Sequence, residues 1–310
     1  TSDSIWYLPA SKIIRGEQMM SGRLSGVIAA VPTPVTASGE PDTERFVRHA
    51  RWALESGCDA LNVLGTTGEA NSFSADQRRA VMTAAATGLD RQRLMVGTGT
   101  PDLATTIALT RHAHELGFAG ALVLPPYYYK GVSDDGLFAW FERLIEGTAD
   151  AAIDIYLYNF PQMTGIRFSP ELARRLKTAF PERMAGAKDS SGDLAYAAEL
   201  AKIDGFAVFP SSETALGKAK ADGYAGCISA TVSVTAPLVA AYWREPTNAA
   251  LAEKVAQARA SISAQPLIPA VKYLVAQLHG DPAFERVLPP HLPLTQEQKS
   301  ALSGLERAAA

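Results

Sequence analysis

Eight short apolar runs recur along the chain, each followed by a segment whose apolar positions repeat at helical spacing. The runs are Gly26–Val31, Ala60–Leu64, Leu94–Gly97, Gly120–Leu124, Ile153–Tyr158, Met184–Lys188, Ala207–Pro210 and Cys227–Ser229. They are nearly continuous in apolar residues, the pattern of parallel strands covered on both faces. The helical segments between them carry start signals. Asp42 caps the first, with Phe46, Val47, Ala50 and Leu54 on one face. Ser74 opens the second, Asp102 the third, Ser133 or Asp134 the fourth, and Ser169-Pro170-Glu171 the fifth, with proline at the first helical position.

Eight strand–helix units in about 210 residues predict an α/β fold, a (β/α)8 TIM barrel. A doubly wound sheet usually carries a glycine-rich dinucleotide turn after its first strand, and here that turn reads Pro32-Thr33-Pro34-Val35-Thr36. After the last strand, Ala236–Trp243, Thr247–Ser263, Pro266–His279 and Thr295–Ala308 read as further helices, broken by Pro289-Pro290-His291-Leu292-Pro293. The expected organisation is an N-terminal extension over residues 1–25, a barrel over 26–232, and a C-terminal helical appendage over 233–310 packed on the barrel.

Composition narrows the classes of function. With 47% hydrophobic and 20% charged residues in 310, the chain has the makings of an ordinary globular core. A net charge of −3 gives no electrostatic footprint for nucleic acid or an anionic membrane. No apolar stretch approaches the roughly 20 residues that span a bilayer. Thr1–Met20 lacks the apolar core of a secretory signal and reads as an extension or tag remnant. Cys58 and Cys227 are the only cysteines, which favours a reducing cytoplasm over a disulfide framework. His112 and His114 lie two apart on a predicted helix and so face different ways, while His49, His279 and His291 are isolated. No metal and no cofactor is expected.

The chemistry-bearing residues gather where strands end, which is where barrels keep their sites. Lys188 closes the apolar run Met184-Ala185-Gly186-Ala187 and precedes a polar turn. A lysine held there has reason to lose its proton, and a neutral lysine is a nucleophile for carbonyls. The competing reading is an edge lysine whose stem carries its charge out to water. Strand two ends in Gly65-Thr66-Thr67-Gly68-Glu69, a turn whose glycines admit close backbone approach and whose hydroxyls and N–H groups suit a carboxylate. Pro125-Pro126-Tyr127-Tyr128-Tyr129 follows strand four, and Tyr158-Asn159-Phe160-Pro161 closes strand five. Such tyrosines are either core aromatics with a wet tip or proton carriers facing the lysine.

Together, Gly65-Thr66-Thr67-Gly68-Glu69, Pro126-Tyr127-Tyr128, Tyr158-Asn159-Phe160-Pro161 with Thr164-Gly165, and Gly186-Ala187-Lys188-Asp189 make a chain that resembles the N-acetylneuraminate lyase / dihydrodipicolinate synthase family of Schiff-base pyruvate aldolases. The likeness runs from about Gly26 to Leu305. It implies that Lys188 forms an imine with pyruvate or another 2-keto acid, and that Tyr158 shuttles protons to it. It implies that Thr66 and Thr67 bind the keto-acid carboxylate beside Gly65, with Thr67 joining Tyr158 in the proton relay. Tyr128 matches a relay tyrosine lent by a neighbouring subunit, so a homotetramer built as a dimer of dimers is implied. The stretch around Ile228 is implied to line the pyruvate pocket. Ser212 and Glu213 stand where relatives with polyhydroxylated substrates bind hydroxyls. For Glu213, a carboxylate favouring a helix N-terminus is the competing reading.

Synthases that condense pyruvate with aspartate semialdehyde normally have an arginine where this chain has Met163, and a thioether cannot pair a carboxylate. Arg167 is the compensating candidate. Lys188-Asp189-Ser190-Ser191-Gly192-Asp193 looks more like aldolases acting on 2-keto-3-deoxy sugar acids or 4-hydroxy-2-oxoglutarate. The preferred reading is a lyase that cleaves or forms such an acid from pyruvate and an aldehyde. The alternatives are the synthase (4-hydroxy-tetrahydrodipicolinate, or dihydrodipicolinate, synthase) and a dehydratase or deaminase of the same family. From other classes, a phosphate-binding barrel would use the loops after strands seven and eight, and a catalytically silent keto-acid sensor would not need the lysine and the phenol together.

Overall fold

A computed structural model describes residues 23–305. The expected extension lies outside them up to residue 22, as do residues 306–308 of the last predicted helix.

The chain alternates strand and helix as the apolar pattern dictates. The strands are β1 (Gly26–Ala30), β2 (Ala60–Val63), β3 (Leu94–Gly97), β4 (Gly120–Val123), β5 (Asp154–Asn159), β6 (Met184–Asp189), β7 (Ala207–Pro210) and β8 (Gly226–Ser229). All pair in parallel, in the order β7-β6-β5-β4-β3-β2-β1-β8. At the seam, Ala225 N–H donates to Val208 O at 2.9 Å, drawing β8 toward β7 and nearly closing a (β/α)8 TIM barrel. Alternate residues face opposite ways: Ile28 and Ala30 join the inner cluster with Met95, Leu122, Tyr156, Phe209 and Ile228, while Val27, Ala29 and Val31 pack outward beneath the helices. This double burial is why the strands read as unbroken apolar runs. Each large side chain so buried contributes about 1.5–3 kcal/mol.

The helices are α1 (Thr43–Glu55), α2 (Ala75–Gly88), α3 (Leu103–Glu115), α4 (Asp134–Gly147), α5 (Pro161–Thr164), α6 (Pro170–Ala179), α7 (Leu194–Ala201), α8 (Ala219–Asp222), α9 (Val232–Arg244), α10 (Ala249–Ser263), α11 (Leu267–His279) and α12 (Gln296–Ala301). Asp42, Ser74, Asp102 and Ser169 each accept a backbone N–H of the helix they precede. Ser133, not Asp134, caps α4, its hydroxyl accepting Gly136 N–H at 3.1 Å. The predicted Ala236–Trp243 helix begins earlier, at Val232. Thr235 there has φ −116° and ψ 18°, a kink two residues before Pro237, which has no N–H to continue the ladder and whose ring crowds the carbonyl of Ser233.

The last helices fasten onto the barrel. Ser233 of α9 donates its hydroxyl to Ala30 O at 2.9 Å, and α9, α10, α11 and the end of α12 share an apolar cluster of Val234, Ile262, Val271, Leu274 and Leu302. No helix among the described residues is long and apolar enough to cross a membrane.

Candidate active site

The parallel register of β5 and β6 sets Tyr158 opposite Lys188. Both side chains point into the barrel mouth and are nearly buried, at 3% and 4% exposure. Lys188 Nζ lies 3.2 Å from Tyr158 Oη and 4.3 Å from the centre of its ring. The hydroxyl of Thr66, in the turn after β2, sits 3.0 Å from the same phenol oxygen. Three strand ends thus bring an amine, a phenol and an alcohol into one hydrogen-bonded chain. The resemblance implies that Thr67 joins Tyr158 in the proton relay. The turn gives the contact with the phenol to Thr66, while Thr67 lines the cavity and is also buried.

That cavity has a volume of about 440 Å³, within the range of small-molecule sites. Thr66, Thr67, Tyr158, Lys188 and Ile228 line it, with Ser190 and Ser211 from the turns after β6 and β7. One wall is apolar, from Pro266 to Pro269 at the start of α11, and Met163 and His291 stand at its edge. Gly65 lies beneath: a Cβ there would come within 2.5 Å of Asn62 Nδ2, so any larger residue would have to displace the Asn62 amide. Beside the lysine, burial raises Asp189 above the usual carboxylate range, while Asn159 donates to its Oδ1 at 2.7 Å and Ser191 holds Oδ2 at 2.9 Å.

Besides Gly65, three expected residues lie outside this cavity lining. Tyr128 is 73% exposed, its ring meeting Tyr129 edge-on at 5.3 Å. Ser212 turns its hydroxyl to Thr214, 2.7 Å away, and caps the 3-10 turn Glu213–Lys218. Glu213 is 1% exposed and is turned away from the cavity. It accepts hydrogen bonds from Ser229 at 2.6 Å, from Thr231, and from Arg259 Nη1 at 2.8 Å. The group that this cluster presents to the cavity is Arg259, carried by α10. Arg167 is likewise elsewhere, paired with Asp193 at 2.9 Å and stacked over Tyr196.

Glu69 forms a buried ion pair with Lys272 of α11 and accepts Leu288 N–H at 2.9 Å. Lys272 also donates to Arg286 O at 2.8 Å. The pair ties the Thr66-Thr67 turn to the C-terminal helices. Sequence reading missed Arg259 and Lys272, whose meaning depends on partners far along the chain. The one local signal was a charge inside the apolar stretch Ala270-Val271-Lys272-Tyr273-Leu274. Among the described residues no cluster of three or more His, Cys, Asp or Glu is placed to hold a metal ion.

The family model of the dihydrodipicolinate synthetase family matches residues 23–308. The chain is 32% identical over 264 residues to a 4-hydroxy-tetrahydrodipicolinate synthase of Rhizobium meliloti, covering 82% of this chain and 87% of that one. The fold is similar to the crystal structure of dihydrodipicolinate synthase from Agrobacterium tumefaciens, with a TM-score of 0.84, 31% identity, and 92% and 99% of the two chains covered. It is similar also to YagE, a prophage protein of the dihydrodipicolinic acid synthase family from E. coli K12 in complex with pyruvate. There the TM-score is 0.83 and the identity 27%, over 92% and 98% of the chains.

Proposed function

The chain belongs to the dihydrodipicolinate synthetase family, whose members are lyases that form a lysine Schiff base with pyruvate, and on that premise we propose that it cleaves a 2-keto-3-deoxy or hydroxy-keto acid to pyruvate and an aldehyde. The observation that carries this reading is the buried contact of 3.2 Å between Lys188 Nζ and Tyr158 Oη at the mouth of the barrel.

In the proposed reaction, the neutral amine of Lys188 adds to carbon two of the keto acid. Tyr158 donates the proton that lets water leave, and the product is an iminium. The phenolate then takes the proton of the hydroxyl on carbon four. The bond between carbons three and four breaks, its electron pair flows into the iminium, and the aldehyde departs. Reprotonation of the enamine at carbon three and hydrolysis of the imine release pyruvate and restore the lysine. Thr66 holds the phenol in line through its 3.0 Å hydrogen bond, and Thr67 receives the keto-acid carboxylate.

The exposed Tyr128 suits the role of a residue lent to a neighbouring copy, and we take the assembly to be a homotetramer built from such dimers. Cys58 and Cys227, both buried and unpaired, support a cytoplasmic setting.

A second reading, condensation of pyruvate with aspartate semialdehyde, is favoured by relatives named as synthases. Against it, Met163 stands at the one position where such synthases normally carry their carboxylate-clamping arginine, and Arg167, the nearby candidate, is engaged elsewhere. A coupled assay for pyruvate release across keto-deoxy acids, run beside synthase assays with aspartate semialdehyde, decides. The proposal expects release from keto-deoxy acids to dominate, and synthase activity of comparable kcat/KM would reverse the order.

A further inference from the structure

The cavity contains a cation that the proposed reaction does not use. Arg259 lines the same cavity as Lys188 and is anchored along one edge of its guanidinium. Nη1 donates to Glu213 Oε2 at 2.8 Å, and Ser229 Oγ and Thr231 Oγ1 lie 3.1 and 3.3 Å from it. Glu213, Ser229 and Thr231 are all buried, so the anchor is rigid. Among the described residues, Nε and Nη2 have no hydrogen-bond partner, which leaves donors of a planar fork for a ligand.

The rest of the lining says which ligand. It contains no aspartate and no glutamate. A pocket built for the hydroxyls of a neutral polyol would offer carboxylate acceptors, and Glu213, which stands at a strand end, is instead spent on holding Arg259. An arginine fork held in place by a buried acid matches a carboxylate in geometry and charge. The keto-acid carboxylate is already assigned to the turn after β2, and Arg259 belongs to neither that turn nor the lysine strand.

We propose that Arg259 determines specificity by binding a second carboxylate at the end of the substrate remote from the imine, so that the substrate class is a 2-keto dicarboxylic acid bearing a hydroxyl on carbon four. This rests on the Schiff-base reading and deepens it. Arg259 touches no reacting atom. Its contribution is to the binding of one class of substrate over another.

The test compares kcat/KM for pyruvate release from 4-hydroxy-2-oxoglutarate with that from a 2-keto-3-deoxy acid ending in a neutral hydroxymethyl group. The wild-type ratio is expected to favour the dicarboxylate at least tenfold. Arg259→Gln should lower that ratio at least tenfold, mainly through KM for the dicarboxylate, and Arg259→Lys, which keeps a charge but not the fork, should recover only part of it. Because Arg259→Gln strands a buried carboxylate, the double variant Arg259→Gln/Glu213→Gln repeats the measurement without it. Competition of glutarate and pentanoate against the wild type reads the same preference with no mutation at all. A wild type that favours the neutral-ended acid, or a ratio unchanged in both variants, overturns the proposal. Pyruvate trapping on Lys188 by borohydride separates the two levels. Trapping without dicarboxylate preference sinks only the Arg259 assignment, whereas no trapping in the wild type sinks the Schiff-base reading and this inference with it.

Discussion

Replacing Lys272 with methionine should destabilise the protein far more than replacing Lys272 and Glu69 together. The two side chains meet in a site where Glu69 is 3% exposed and Lys272 1%. Burial lowers the lysine against the opposing pull of Glu69, so the environment resists an isolated charge. Lys272→Met leaves Glu69 with the Leu288 N–H bond at 2.9 Å but no countercharge. Removing one partner of such a pair costs about 3–5 kcal/mol, whereas removing both is often close to neutral. An unfolding entropy of about 2.1 cal/mol/K per residue, over 310 residues, is about 0.65 kcal/mol/K. The single variant should therefore melt about 5–8 °C lower. Glu69→Gln/Lys272→Met should regain at least half of that loss, which together with the loss in Glu69→Gln alone gives a coupling of at least about 2 kcal/mol in a double-mutant cycle followed by circular dichroism. Because Glu69 closes the Gly65-Thr66-Thr67-Gly68-Glu69 turn, Lys272→Met should also raise the KM of the keto acid. A melting point within 1 °C of the wild type, or a double variant as unstable as the sum of the singles, would refute the claim that this pair fastens the turn.

Tyr158→Phe should lower kcat about 10²–10⁴-fold with little change in melting point, since it deletes a positioned proton carrier and leaves the ring in place; a loss under tenfold in steady-state assays would remove Tyr158 from the reaction. Thr66→Val should lower kcat more than Thr67→Val does, and Thr67→Val should act mainly on KM, because the hydroxyl 3.0 Å from the phenol belongs to Thr66; the opposite split would return the relay to Thr67. His49 is wholly buried against His279, and burial lowers it from 6.5 to about 3. Its folded value lies below its unfolded one, so its neutral form is fully compatible with folding above pH 6.5 and stability is lost as pH falls toward 3. From pH 7 to pH 5 that amounts to about 2 kcal/mol. Urea melts at the two pH values, compared with those of His49→Phe, measure it, and an equal pH dependence in both proteins would contradict it.

The barrel was legible because each strand is apolar on both faces, and the helix starts were legible because their caps are local. Lys188 stands out because it closes an apolar strand where a charge is costly, whereas Tyr158 reads equally as a core aromatic until the family motifs are set beside it. What escaped is non-local. Arg259 sits in Gln257-Ala258-Arg259-Ala260, which in isolation reads as a solvated helix face, and nothing within reach in the sequence says that Glu213 awaits it 46 positions away. Sequence alone leaves Glu213 either a substrate ligand or a carboxylate at a helix N-terminus, and neither reading reveals that its acceptors are committed to Ser229, Thr231 and Arg259. Thr66 and Thr67 illustrate another limit, since adjacent residues of a tight turn point differently and spacing cannot choose between them. The capping role of Asp193 for α7, whose N–H partner is Tyr196 at 3.0 Å, was likewise hidden in a polar turn shared with Arg167.

The proposed chemistry requires Lys188 to act as the carbonyl nucleophile. Incubation with pyruvate and sodium borohydride, followed by proteolysis and mass spectrometry of the peptides, reads this directly. The expected result is one reduced three-carbon adduct, on the peptide containing Lys188, and none in Lys188→Met. An unmodified Lys188 peptide under conditions where the enzyme releases pyruvate, or an adduct on a different lysine, would contradict it.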